Sequence, residues 1–89
     1  MNKVTIEDRI RIFKHVPAAY NWAAKDEDGR WFCFLEKPMM LTHYPMWWHV
    51  TALQLHNDAA HGVSIDWRES LITRPTNEEI KNIFPNACE

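Results

Sequence analysis

Glycine and cysteine are almost missing from this 89-residue chain, with two of each. Gly29 and Gly62 stand far apart, so no glycine-rich loop exists to cradle a phosphate, and the nucleotide sites built on such loops are excluded. Cys33 lies inside an apolar run and Cys88 is next to last, which is too little to found a disulfide framework. A surplus of one charge is also lacking. Ten basic residues face twelve acidic ones for a formal net of −2, and no Lys/Arg cluster is present of the kind that drives phosphate binding, so direct nucleic acid binding is not expected. No apolar run approaches the ~20 residues of a membrane helix, and residues 1–9 lack the apolar stretch of a secretory signal. The expectation is a cytoplasmic protein with reduced thiols and no membrane partner.

What is present in excess is bulk. Five tryptophans and four methionines sit in a chain short enough to be one domain, residues 1–89. A chain of this length hides only about 60% of the surface its unfolded form exposes, so large side chains must supply the core.

The local patterns predict an α+β domain: a small antiparallel sheet of about three strands, with one short helix before it and one after. Thr5 and Asp8 form a capping-box pair, and Ile6, Ile10 and Phe13 follow at helical spacing, which predicts a helix over 5–14 ended by Pro17. Two β-compatible runs, 20–25 and 30–36, flank Asp26-Glu27-Asp28-Gly29, a hairpin signal. On the second run Trp31, Cys33 and Leu35 face one way and Phe32 and Phe34 the other, so either a central strand covered on both sides or a sheet with one face on helices and the other open to a partner is expected. Residues 39–45 show no clean period and read as an ordered connection. Residues 49–55 fit a strand or a helix about equally, 57–62 a turn, and 63–67 a short strand. Thr76 and Glu79 form a second capping box ahead of Ile80, Ile83 and Phe84, with Pro85 as the stop.

Catalytic and metal chemistry find little support. His43, His49, His56 and His61 crowd into 19 residues, yet none has a partner three or four residues away on a helical pattern, and no metal or other cofactor is expected. The acidic turn at Asp26 echoes a calcium loop, but Lys37 occupies the twelfth position where a bidentate Glu belongs, so a solvated turn is expected. Cys33 between two phenylalanines suits packing more than nucleophilic attack. Ser64 and Ser70 lack a nucleophile-elbow sequence. The expectation is a protein that is not an enzyme.

Recognition is the better fit. The segment 39–49 places Met40, Tyr44, Met46, Trp47, Trp48 and His49 on a stretch bounded by Pro38 and containing Pro45, and these six are the candidate interaction surface. Adjacent residues in an extended chain point to opposite sides, so one of Trp47 and Trp48 is expected inside and the other outside. Trp67, Arg68 and Arg74 form a second candidate surface, with Trp67 and Leu71 as an inward i, i+4 pair and the two arginines outside, able to meet an acidic group or phosphate.

Residues 19–31, with Lys37-Pro38 after them, and residues 66–75, Asp66-Trp67-Arg68-Glu69-Ser70-Leu71-Ile72-Thr73-Arg74-Pro75, resemble small accessory proteins of tailed bacteriophages. That resemblance brings no catalytic motif. It implies action inside an infected bacterium by binding a host protein such as a defence component, and the function expected from it together with the aromatic segment is binding and inhibition of that protein. Two other expectations stand beside it. One is a small-ligand binder or nucleotide sponge, with Trp on the base and Arg68 or Arg74 on phosphate. The other is a self-assembling phage component, a homo-oligomer.

Overall fold

A computed structural model describes residues 4–56 and 58–85. Helix α1 (Ile6–Phe13) precedes strands β1 (Trp22–Lys25), β2 (Trp31–Phe34), β3 (Met39–Leu41), β4 (Met46–Trp48) and β5 (Leu53–Gln54). A 3-10 turn (Trp67–Glu69), strand β6 (Ile72–Thr73) and helix α2 (Asn77–Ile83) complete the order. The fold is α+β. The sheet is larger than the three strands expected: four antiparallel strands run β5-β2-β1-β6, and β3 and β4 form a separate ribbon.

Both helices begin where their caps place them. The Thr5 hydroxyl accepts the Asp8 N–H and the Asp8 carboxylate accepts the Thr5 N–H, and Thr76 and Glu79 repeat the arrangement. Each cap satisfies two backbone donors at the helix start that have no acceptor within the helix. The buried side of α1 is Ile12 and Phe13, whereas Ile6 and Ile10 are only half-buried, so the packed stripe is turned from the one the spacing suggested. No residue of α2 is buried. Arg9 ties α2 to α1, pairing with Glu79 at 2.8 Å and donating to the Thr73 carbonyl at 3.0 Å.

The β1–β2 hairpin pairs Trp22 with Phe34 and Lys25 with Trp31. Gly29 closes its turn at φ +90, a backbone region that L side chains resist. Alternation then splits the core in two. Ala23, Trp31 and Cys33 pack with Ile12, Phe13, Leu55 and Ala60 on the α1 side. Ala24 and Phe34 pack with Trp47 on the other, with Trp22, Phe32, Trp67 and Leu71 around them. Ala23 and Ala24 are wholly enclosed, and their small side chains let α1 approach one face and the Trp47 indole the other.

Three sequence expectations change. Residues 39–45 are not a plain connection: they hold β3 and the turn into β4. Residues 49–52 form a turn, with the Ala52 N–H donating to the His49 carbonyl at 3.1 Å, before the two-residue strand β5. Residues 63–66 are irregular rather than a strand, and Asp66 caps the 3-10 turn through the Arg68 N–H. The turn at 58–62 is present, while Asn57 and Cys88 lie outside the described residues. Among the described residues no helix is long and apolar enough to cross a membrane.

Candidate interaction surface

The β3–β4 ribbon pairs Met39 with Trp48, Met40 with Trp47 and Leu41 with Met46. Directly opposed residues of an antiparallel pair share a face, so Met40 and Trp47 lie on the side toward the sheet, where Trp47 is enclosed and Met40 stays 42% exposed, and the Met39–Trp48 pair lies on the side away from it. Trp47 is 9% exposed and Trp48 47%. The two adjacent indoles thus divide between inside and outside, as extended backbone requires.

Three bonds hold the ribbon to the β1–β2 turn and the 3-10 turn. The Trp47 indole N–H donates to the Trp67 carbonyl at 2.8 Å, the Trp47 backbone N–H donates to the Asp26 carboxylate at 2.8 Å, and the Glu27 N–H donates to the Pro45 carbonyl at 3.3 Å. Asp26 corrects the expectation of a solvated turn. Glu27, Asp28 and Gly29 are exposed, but Asp26 is buried against β4 and its carboxylate is occupied by the Trp47 N–H. Burial pushes its pKa up, the Trp47 N–H draws it back, and Asp28 raises it further. The position had no signal in the sequence because its burial comes from a strand twenty residues away.

Of the six residues chosen from sequence, Trp48, Tyr44 and Met40 are exposed, Met46 and His49 half-buried, and Trp47 enclosed. Trp47 therefore belongs to the core. Two residues outside that set join the surface: Met39, 61% exposed and paired with Trp48, and Val50, 80% exposed just past the strand. Met39 was legible only once β3 was paired with β4. His49 orders the chain after Trp48. Its Nδ1 meets the Thr51 hydroxyl at 2.8 Å and accepts the Thr51 N–H at 3.2 Å, while Nε2 lies 3.4 Å from the Glu36 carboxylate. The Thr51 hydroxyl in turn accepts the Leu35 N–H at 3.1 Å, which fastens this corner to the end of β2. The His49 ring stands tilted to Trp48 with centroids 6.4 Å apart.

The second candidate surface does not assemble as expected. Trp67 and Leu71 pack inward on Phe34 and Trp47, consistent with their spacing. Arg68 is exposed and folds onto Asp66, 3.2 Å from its carboxylate. Arg74 is not an outward-reaching group: its guanidinium donates to the carbonyls of Tyr20, Val16 and Pro17 at 2.7–3.1 Å and lies 4.9 Å from the centre of the Phe13 ring. Its planar fork closes the chain after α1, adding to the Tyr20 N–H that the Pro17 carbonyl already accepts and supplying donors to the Val16 and Tyr20 carbonyls. Ser70 is likewise internal, accepting the Lys25 N–H at 2.8 Å and lying 2.6 Å from the Trp67 carbonyl.

The groups with chemical potential are similarly committed. Cys33 has no exposed surface, its thiol donates to the Leu53 carbonyl at 3.5 Å, and burial pushes its pKa up to about 11. Such a thiol carries almost no thiolate at neutral pH. Among the described residues no three His, Cys, Asp or Glu side chains gather closely enough to share a metal ion. Comparison with protein-family models, with characterised proteins and with solved structures returns no match to this chain.

Proposed function

We propose that this chain is a non-catalytic interaction protein of the bacteriophage kind, which binds and inhibits a bacterial host protein, such as a defence component, through the outer side of the β3–β4 ribbon. One observation carries the reading: Trp48, half exposed, and Met39, 61% exposed, lie side by side on the ribbon, with Val50 next in line and Tyr44 at 71% exposure on its turn. An indole with thioether neighbours suits a protein partner, because it buries a large area with little loss of conformational freedom and adapts to the opposing surface. The ribbon that presents it is pinned by Asp26, Trp67 and Glu27, so the surface is ordered before binding and loses less entropy on association.

Nucleotide binding is less favoured, because Arg74 is bound to backbone carbonyls and Arg68 to Asp66, which leaves the phosphate without the guanidinium groups that reading needs. Affinity capture from bacterial lysate tests the proposal with wild type, Trp48→Ala and Arg68→Ala. Retention of one partner by wild type and Arg68→Ala, with its loss from Trp48→Ala, is expected. Equal recovery by all three would refute the reading, and mass that grows with protein concentration in sedimentation would point to self-assembly instead.

A further inference from the structure

Away from the ribbon, a cleft of about 440 Å³ opens between the end of α1 and strand β5. Its floor is apolar: Ile12 and Leu55 are buried there, and Val16 and Ala59 half-buried. Its rim carries two cations, Arg11 and Lys14, on the α1 side, with the side chains of His15 and His56 beside them. The one carboxylate that lines it, Asp58, lies 3.7 Å from His56. Lys14 has no carboxylate partner among the described residues, and Arg11 meets only Asp8, at 3.5 Å.

Strand β5 is an edge of the sheet, and its register fixes which backbone groups are unused. Leu53 pairs with Cys33, Gln54 pairs with Phe32, and the Leu55 N–H donates to the Trp31 carbonyl at 2.9 Å. In an antiparallel ladder the backbone groups of alternate residues turn to the partner strand. Leu53 and Leu55 turn theirs to β2, so the N–H and C=O of Gln54 point away from the sheet, along the cleft that Gln54 itself lines. The side chains of Leu53 and Leu55 share the α1 side with Cys33 and Trp31.

We infer that this cleft takes an extended peptide of a partner protein by strand addition at Gln54, and that the peptide carries an apolar and an acidic side chain two residues apart. The residue opposite Gln54 would exchange two backbone hydrogen bonds with it. Its two neighbours would then point to the α1 side, over the cleft. There the floor of Ile12, Val16 and Leu55 accepts the apolar side chain, and the rim of Arg11 and Lys14 selects a carboxylate over a cation. The site lies apart from the ribbon surface and stands whether or not that surface binds a host protein.

The test is an NMR titration of the isotope-labelled full chain with the capped peptide Thr-Ala-Leu-Ala-Glu-Ala-Thr. Saturable shifts of the Gln54 and Leu55 amides are expected. Replacing the peptide Glu with Lys should weaken binding about fivefold, the upper range for one exposed charge pair. Methylating the backbone nitrogen of its central Ala should abolish the shifts. Lys14→Glu should reverse the preference between the two peptides. Gln54→Pro should abolish binding while leaving the rest of the spectrum in place, because proline is tolerated on an edge strand where the lost N–H faces outward. If Gln54→Pro does not fold, the methylated peptide decides on the wild-type chain. Absence of saturable shifts, equal binding of the Glu and Lys peptides, or indifference to methylation would overturn the inference. So would binding of octanoate without binding of the peptide, which would make the cleft a pocket for small apolar acids.

Discussion

Alanine replacement of the two adjacent tryptophans separates core from surface within a single dipeptide. Trp47 is enclosed between the ribbon and Ala24 and Phe34, and its indole N–H holds the Trp67 carbonyl. Trp47→Ala therefore removes a large buried side chain and leaves a cavity that the ribbon can only partly close, at a cost of about 3–5 kcal/mol. For a domain of this size each kcal/mol lowers Tm by about 4–8 °C, so the fall is at least about 12 °C. Trp48 is half exposed and makes no comparable enclosure, and Trp48→Ala is expected to cost about 1 kcal/mol or less. The assay is thermal unfolding followed by far-UV circular dichroism, with the three proteins at one concentration. For binding the order reverses. An exposed tryptophan at the centre of an interface contributes about 2 kcal/mol or more, so Trp48→Ala should weaken a partner about 30-fold. Equal falls in Tm for the two variants would refute the assignment of inner and outer faces. A larger fall for Trp48→Ala would invert it.

Two further outcomes concern carboxylates. Burial raises the pKa of Asp26 in the fold, so its contribution to stability is greatest below its ordinary value of 3.8 and declines as pH rises through the folded value. Asp26→Asn keeps an acceptor for Trp47 and should match or exceed wild-type Tm at pH 7, whereas Asp26→Ala orphans that N–H and should lose about 1–3 kcal/mol; a neutral Asp26→Ala would refute the bond's role. Arg9, with the Thr76 N–H behind it, pulls Glu79 from 4.5 to about 2, so its contribution is present above 4.5 and disappears as pH falls to about 2. Glu79→Gln should flatten the acid limb of a Tm-against-pH curve in that window, and an unchanged limb would count against the Arg9 pair.

What could be read from sequence was whatever is encoded within a few residues. The caps at Thr5 and Thr76 depend on a side chain three residues on, and the β1–β2 hairpin on a turn ended by Gly29, so all three were legible. The ribbon was not, because its strands are three residues long and its turn, Thr42–Pro45, contains no glycine. Strands β5 and β6 are two residues each, too short for any period to register, and they exist because β2 and β1 present unused backbone groups to them. The same limit explains Asp26 and Arg74. Each looked like a solvent-facing charge by its neighbours, and each is claimed by partners 20 residues or more away in the chain.

Those distant pairings also determine where apolar surface is left over. The central strands β1 and β2 have two apolar faces, and each is closed by a different element: α1 on one side, Trp47 of the ribbon on the other. A ribbon of two strands has no second layer behind it, so the act of burying Trp47 turns its neighbour Trp48 to solvent. Exposure at Trp48 is thus a consequence of closing the core rather than an accident of composition. A polar residue at 48 would leave that closure intact, since Trp47 makes the contacts and hydrogen bonds that fasten the ribbon. The fold therefore permits Trp48 without requiring it, and a large apolar residue that the fold does not require is the strongest physical reason to seek its role in a partner.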